Sequence, residues 1–211
     1  SRLAPDGGES GDVAFRFELL TLSEELAGRM AKLKLAGGTV NDLLLTVLHQ
    51  TIARWNDAHG TKTERIGTMM PVNVRPSERW FEVVSNITYF VSISTAASAR
   101  DSAEGTARAI VAQTARVKEQ GTAAALREIL FASPTLLLDV KRRLPALLPL
   151  GGNRFVDTAV LSNLGRVGEA ITFTGAGATR ELWFSPPCRM PLGLGVGAAT
   201  YEGRAFVAFR Y

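Results

Sequence analysis

The chain is 211 residues long, 46% hydrophobic and 21% charged, with 24 Lys and Arg against 20 Asp and Glu for a formal net charge of +4. This is globular composition with room for one sizeable core or two small ones, which excludes disorder as the default state. A single cysteine, Cys188, excludes an internal disulfide framework and a cysteine-based metal site and fits a reducing, cytoplasmic setting, and no uncharged apolar run of about 18 residues predicts a membrane span.

From the N-terminus, Ser1 to Asp12 reads as a flexible tail, Gly- and acid-rich from Pro5 onward, and Val13 to Leu20 alternates as a strand. Ser23 with Glu24 and Glu25 opens a helix whose inward face would be Leu26, Met30 and Leu33, ending at Gly37-Gly38. Thr39 to Asp42 caps a longer helix with a buried stripe of Leu44, Leu48, Ile52 and Trp55, closed by Gly60. Ile66 to Val74 and Asn86 to Thr95 read as strands, and Asp101 to Glu119 as a helix with Ala103, Ala107, Ile110, Val111, Thr114 and Val117 inward.

Ala123 to Phe131 continues helical. The segment from Ser133-Pro134 to Pro149 is apolar enough either to pack as plain core or to line a pocket for an acyl chain. Lys141-Arg142-Arg143 is the one dense basic cluster, either a solvated helix face or a site for an acidic ligand, with no case for nucleic acid. Val156 to Leu161 is a strand leading into Ser162-Asn163-Leu164-Gly165, which has the chemistry of a turn. Strands at Ala170–Phe173 and Thr179–Phe184 and a closing hairpin, Leu192–Ala199 with Ala205–Phe209, complete one sheet. In the hairpin Leu192, Leu194, Val196 and Ala198 alternate with Gly193, Gly195, Gly197 and Ala199. One face of that strand is therefore bare, which calls either for close approach by another backbone or by a ligand or, on the plainer reading that the sequence favours, for a well-packed sheet with small residues under a helix.

Three stretches carry a family resemblance. TVNDLLLTVLHQTIARW after a Gly-Gly turn, Pro71-Val72 with Arg75 followed by the strand from Asn86, and Gly197-Ala198-Ala199-Thr200-Tyr201-Glu202-Gly203 resemble the chloramphenicol acetyltransferase-like superfamily of condensation domains, wax ester synthases and polyketide-associated acyltransferases. The last stretch aligns with the motif HHxxxDG, whose second His is the general base, but both His positions hold Gly197 and Ala198. In this it looks like the second, C-terminal lobe of a two-lobed member. The resemblance spans about Val13 to Tyr211 and implies an α/β fold, a mixed β-sheet with helices packed on it.

It further implies transfer of an acyl group from a coenzyme A or phosphopantetheine carrier-protein thioester to an amine or hydroxyl. The base would come from a first lobe carrying HHxxxDG, on the same polypeptide or a separate chain, and an acyl carrier domain is a possible further partner. By the same resemblance Ser162 and Asn163 approach the interlobe cleft and support the oxyanion, against the plain alternative of turn chemistry, and Asn86, Gly195 and Gly197 are substrate-binding candidates. Neither His49, inside a helix, nor His59, at a helix end, has the context of a catalytic base, so the chain alone is expected to be inactive. No bound cofactor and no metal site are expected: Gly193-x-Gly195-x-x-Ala198 fits a dinucleotide fingerprint but lies inside a strand that leads into a hairpin rather than opening a helix, and no P-loop, metalloprotease or metal-ligand spacing is present. The chain reads as cut at both ends, and the competing reading is a non-catalytic module that docks a carrier domain or partner lobe.

Overall fold

The N-cap signals in the sequence are used where they stand. Ser23 Oγ accepts the Leu26 N–H at 3.3 Å at the head of α1 (Glu24–Lys32). Thr39 and Asp42 form a complete capping box at the head of α2 (Val40–Ala58). The computed structural model describes residues 1–5, 16–73, 88–119, 157–168, 170–188 and 192–211. The expected helices between Ala123 and Pro149, with their basic cluster, lie outside those residues.

Among the described residues α3 (Ala103–Glu119) is the third α-helix, and the strands are β1 (Phe17–Leu22), β2 (Arg65–Asn73), β3 (Thr88–Ala96), β4 (Ala159–Arg166), β5 (Thr172–Phe173), β6 (Gly177–Ala178), β7 (Leu194–Tyr201) and β8 (Arg204–Arg210). Six strands form one mixed sheet in the order β1-β8-β7-β4-β2-β3. β4 runs parallel to both β2 and β7, while β3 and β8 run antiparallel to their neighbours. The closing hairpin is tighter than the sequence suggests. Its strands reach Tyr201 and Arg204 and leave a two-residue turn with both φ angles positive, the backbone that matches the twist of paired strands.

The core lies between the sheet and the helices α2 and α3. Leu45, Leu48 and Ile52 of α2 and Ile110 of α3 meet Ile66, Val91, Ile93, Ala159, Leu161, Val196, Ala198 and Val207 of the sheet. The stripe on α2 is rotated from the apolar expectation: Leu48 and Ile52 are buried, but Trp55 is 39% exposed and Leu44 only half-buried. Polar residues take their places, namely Asp42, Thr46, His49 and Asn56, because each finds partners there. Thr46 Oγ1 donates to the Asp42 carbonyl at 2.7 Å, and Thr114 Oγ1 of α3 donates to Asp42 Oδ1 at 2.7 Å. His49 is wholly buried, with Nδ1 2.8 Å from Thr95 Oγ1 and Nε2 2.9 Å from Thr68 Oγ1.

Four expectations are corrected. Residues 1–5 are not a free tail: the Ala4 N–H donates to Asn56 Oδ1 at 2.8 Å, Asn56 Nδ2 donates to the Arg2 carbonyl at 3.0 Å, and Trp55 Nε1 donates to the Ala4 carbonyl at 2.8 Å. α1 ends at Lys32 with Leu33 as its cap, before the glycines, and buries no residue; it touches β8 and α2. β1 is shifted two residues toward the C-terminus at its end and is exposed nearly throughout, with only β8 beside it. The strands expected at 170–173 and 179–184 do not join the sheet. β5 and β6 make a separate small ladder, and the chain then continues to Cys188 without ladder bonds.

Burial, with the charges of Arg100 and Arg65 close by, holds the His49 pKa down at about 3, against an ordinary value of 6.5. An unfolded chain takes up that proton near pH 6.5 and the folded chain does not, so stability present above pH 6.5 is lost as pH falls toward 3. One such group contributes a slope of about 1.4 kcal/mol per pH unit. Urea unfolding between pH 6.5 and 5 is expected to show a loss of about 2 kcal/mol that is absent in His49→Gln. Equal slopes in the two proteins would show that His49 is not the group responsible.

Candidate functional site

Strand alternation divides the sheet into two faces. Leu161, Val196 and Ala198 belong to the core under α2 and α3, so Val160, Ser162, Gly195 and Gly197 point to the opposite face, away from those helices. The extended segment from Phe184 to Cys188 lies along that face. A Cβ on Gly195 would stand 3.1 Å from Cys188 Cβ, and one on Gly197 would overlap the Phe184 carbonyl oxygen. The bare face of β7 is thus met by protein backbone, which takes the room a ligand would need at Gly195 and Gly197. It also leaves no room for an imidazole at position 197. The segment before the strap is anchored by Tyr201, whose hydroxyl accepts from the Ile171 N–H at 2.9 Å and donates to the Thr179 carbonyl at 3.3 Å. Trp183 packs edge-on against Phe206.

Ser162 to Gly165 does not form a turn between strands. It lies inside β4, where the register with β7 passes from Asn163↔Ala198 to Arg166↔Thr200, so two residues face one. This is a β-bulge, and Gly165 takes the positive φ of 73° that it requires. The Asn163 side chain does what asparagine does in turns, Oδ1 accepting the backbone N–H two residues on, at 2.9 Å from Gly165 N. Its Nδ2 donates to Asn41 Oδ1 at 2.6 Å, across 122 residues of sequence. The two motif stretches that the sequence reading singled out, at Thr39–Asp42 and Ser162–Gly165, therefore meet through one hydrogen bond.

Ser162 and Asn163 are adjacent in the strand and so point to opposite faces. Asn163 is committed to the bulge and to α2. Ser162 is half-buried on the face away from α2 and α3, beside Gly197, and no hydrogen bond to its hydroxyl is present among the described residues. Asn86 lies outside the described residues. His49 is part of the core, and His59 stacks on Trp55 at the end of α2 with Nδ1 2.8 Å from the Trp55 carbonyl; neither is near β4's bulge.

Two further residues were not marked by sequence reasoning. Asn41 sits in the capped motif, but nothing in its local sequence says which distant residue it meets. Asp157 precedes β4 and accepts from Ser92 Oγ at 2.6 Å. Burial raises its pKa, with the Ser92 hydrogen bond and the Arg65 charge acting the other way. Five residues of strand separate it from Ser162, roughly 16 Å, so the two do not form one site. An apolar groove of about 610 Å³ lies elsewhere again, between residues 3–5, Ile52, Trp55, Leu194, Phe209 and Tyr211. Ile52 and Trp55 are roughly 16–21 Å along α2 from Asn41, so the groove serves the opposite end of the helix from the bulge. Among the described residues no group of three or more His, Cys, Asp or Glu is placed to hold a metal, and no helix is long and apolar enough to cross a membrane.

No protein-family model matches the chain. It is 36% identical over 213 residues to the uncharacterized protein Rv2305 of Mycobacterium tuberculosis strain H37Rv, and equally to its counterpart in strain CDC 1551. The whole chain is matched in both, and it spans 49% of each of these relatives. Among solved structures it is similar to the epimerization domain of the third module of tyrocidine synthetase B, with TM-score 0.59 and 17% identity over 93% of the chain and 42% of that structure. The cyclization-docking bidomain of EpoB from Sorangium cellulosum aligns with TM-score 0.57 and 18% identity over 98% of the chain and 38% of that structure. The wax ester synthase/diacylglycerol acyltransferase of Marinobacter aquaeolei VT8 aligns with TM-score 0.55 and 14% identity over 93% and 42%.

The packing at Gly197 yields a direct check. Gly197→Ala forces the strap or β7 to move and is expected to cost about 1–3 kcal/mol in urea unfolding. Gly168→Ala, where an added Cβ meets nothing within 4 Å, serves as the neutral control. Equal stability of the two variants would contradict the close approach of Phe184.

Proposed function

The chain has the fold of a single lobe of the chloramphenicol acetyltransferase-like superfamily, as found in condensation-type domains and a wax ester synthase, and from that premise we propose that it serves as the C-terminal lobe of an acyltransferase. The reaction is transfer of an acyl group from a coenzyme A or carrier-protein phosphopantetheine thioester to an amine or hydroxyl. The observation that carries this reading is coverage: the fold match takes in 93–98% of the chain but only 38–42% of the neighbours. One lobe's worth of structure is accounted for, and as much again lies in the relatives.

In this reading the general base comes from the histidine of a first lobe. His49 is buried and held neutral, and His59 stands exposed at the far end of α2, stacked on Trp55 and remote from Ser162, so neither is placed to serve as the base there. Ser162 is the residue of this lobe that supplies chemistry. A hydroxyl with no hydrogen bond among the described residues, half-buried beside a bare strand, suits a donor aimed at the oxyanion of a tetrahedral intermediate. Asn163 contributes by shaping the strand rather than by touching substrate. The face away from α2 and α3 leaves Phe17 and Leu19 at one edge and Phe90 at the other, 54%, 55% and 47% exposed, an apolar margin that a second lobe or a carrier domain would cover.

The test uses the chain joined to the first lobe and follows thiol release from acetyl-, decanoyl- and palmitoyl-coenzyme A in the presence of alcohol and amine acceptors. Acceptor-dependent release is expected from the joined protein and none from the 211-residue chain alone. Ser162→Ala is expected to lower turnover about a hundred- to thousand-fold, the usual effect of removing one oxyanion donor, with the melting temperature unchanged. Full turnover per folded molecule in Ser162→Ala would sink the oxyanion role. A joined protein that binds a partner lobe or carrier but releases no thiol would favour the docking-module reading instead.

A further inference from the structure

Asn163 stands at the start of the bulge with its amide oriented from one side: Oδ1 accepts the Gly165 N–H at 2.9 Å, so Nδ2 must face away from that turn. What it faces is Asn41 Oδ1, at 2.6 Å. Asn41 is the second residue of α2, in the turn fixed by the capping box. In that box the Thr39 N–H and hydroxyl both donate to Asp42 Oδ2 at 2.7 Å, and Thr114 of α3 binds the other carboxylate oxygen. Asn41 is thus the chain neighbour of a residue tied to α3, and its own side chain binds the irregular stretch of β4.

We propose that Asn41 is a positioning residue: its side-chain carbonyl, as acceptor, latches the bulge of β4 to the head of α2 and so sets the placement of Ser162. The proposal rests on the reading of Ser162 as the working hydroxyl, and adds to it the device that holds that hydroxyl in register. The physical need is specific. A bulge carries an extra residue that the ladder does not bond, so its position along the strand is weakly determined by pairing alone. A shift of one residue would carry Asn163 to the face away from α2 and α3 and Ser162 under those helices. The Asn41–Asn163 bond opposes that shift, because Asn163 can reach Asn41 only from the helix side.

The role as acceptor separates this from a role as ligand donor. Asn41→Asp keeps the acceptor and removes the amide N–H groups, Asn41→Ala removes both, and Asn41→Gln displaces the acceptor by one methylene. Amide hydrogen exchange in the purified chain, read at Gly165 and its neighbours, is the measurement. Asn41→Ala is expected to speed exchange at Gly165 about fivefold, the effect of losing one ordinary hydrogen bond, with α3 and β8 unchanged. Asn41→Asp is expected to retain wild-type protection, and Asn41→Gln to behave as Asn41→Ala, which also decides the matter if the alanine variant does not fold.

Unchanged protection at Gly165 in the alanine or glutamine variant would overturn the proposal, as would an aspartate variant that loses protection. The exchange experiment decides the latch and turnover of Ser162→Ala decides the hydroxyl, so either can fail while the other stands.

Discussion

A row of polar side chains buried beneath α2 sets how the helix lies on the sheet. An apolar stripe would allow sliding at little cost, since hydrophobic contact is non-directional. His49 does not allow it, because both ring nitrogens must meet hydroxyls on two different strands, Thr68 on β2 and Thr95 on β3. Three residues from the far end of the helix Asn56 binds the first residues of the chain, and at the near end Asp42 binds α3. Asp42 is buried, which works to raise its pKa, but hydrogen bonds from Thr39 and Thr114 and the charge of Lys118 outweigh that and hold it below the usual carboxylate range. Breaking any of these bonds leaves a buried polar group unsatisfied, so the helix is located by geometry as much as by area.

The location of α2 then determines what the middle of the sheet can present. Its head comes to the bulge of β4, while its tail borders the apolar groove near residues 3–5. β4 is the strand on which the two halves of the sheet meet, parallel to a neighbour on each side. On the helix side it is packed into the core, and on the other it lies beside a strap laid over glycines. Within the described β4, the bulge is where an otherwise regular strand spends the Asn163 amide on its own turn and on α2, next to a half-buried Ser162 with no hydrogen bond among the described residues.

Much of this was legible from the residues. Ser23 and Thr39 announced their helices, the glycine alternation from Gly193 to Gly197 announced a close approach, and the three motif stretches pointed to the fold. What failed did so for consistent physical reasons. Apolar periodicity put Leu44 and Trp55 in the core and missed Asp42, His49 and Asn56, because a buried polar residue looks like a surface residue until its partner is known. Ser162-Asn163-Leu164-Gly165 has the composition of a turn, and a bulge uses the same asparagine and glycine chemistry inside a strand. The segment from Thr179 to Phe184 has strand-forming residues but lies across the sheet instead of beside it, a choice made by the absent side chains of another segment, Gly195 and Gly197. That Ser162 and Asn163 would serve different faces follows from alternation alone once the stretch is known to be a strand. Asn41 could be found only by bringing together positions 122 residues apart.

The strap over β7 also gives the molecule an internal gauge. Cys188, the only cysteine in the sequence, is buried where the strap rests on Gly195, and burial raises the pKa of its thiol, with the Arg210 charge opposing. A thiol that is both covered and protonated reacts slowly with electrophiles. Its rate of labelling therefore counts the moments at which the strap lifts away, and does so without any tag or substitution elsewhere in the chain.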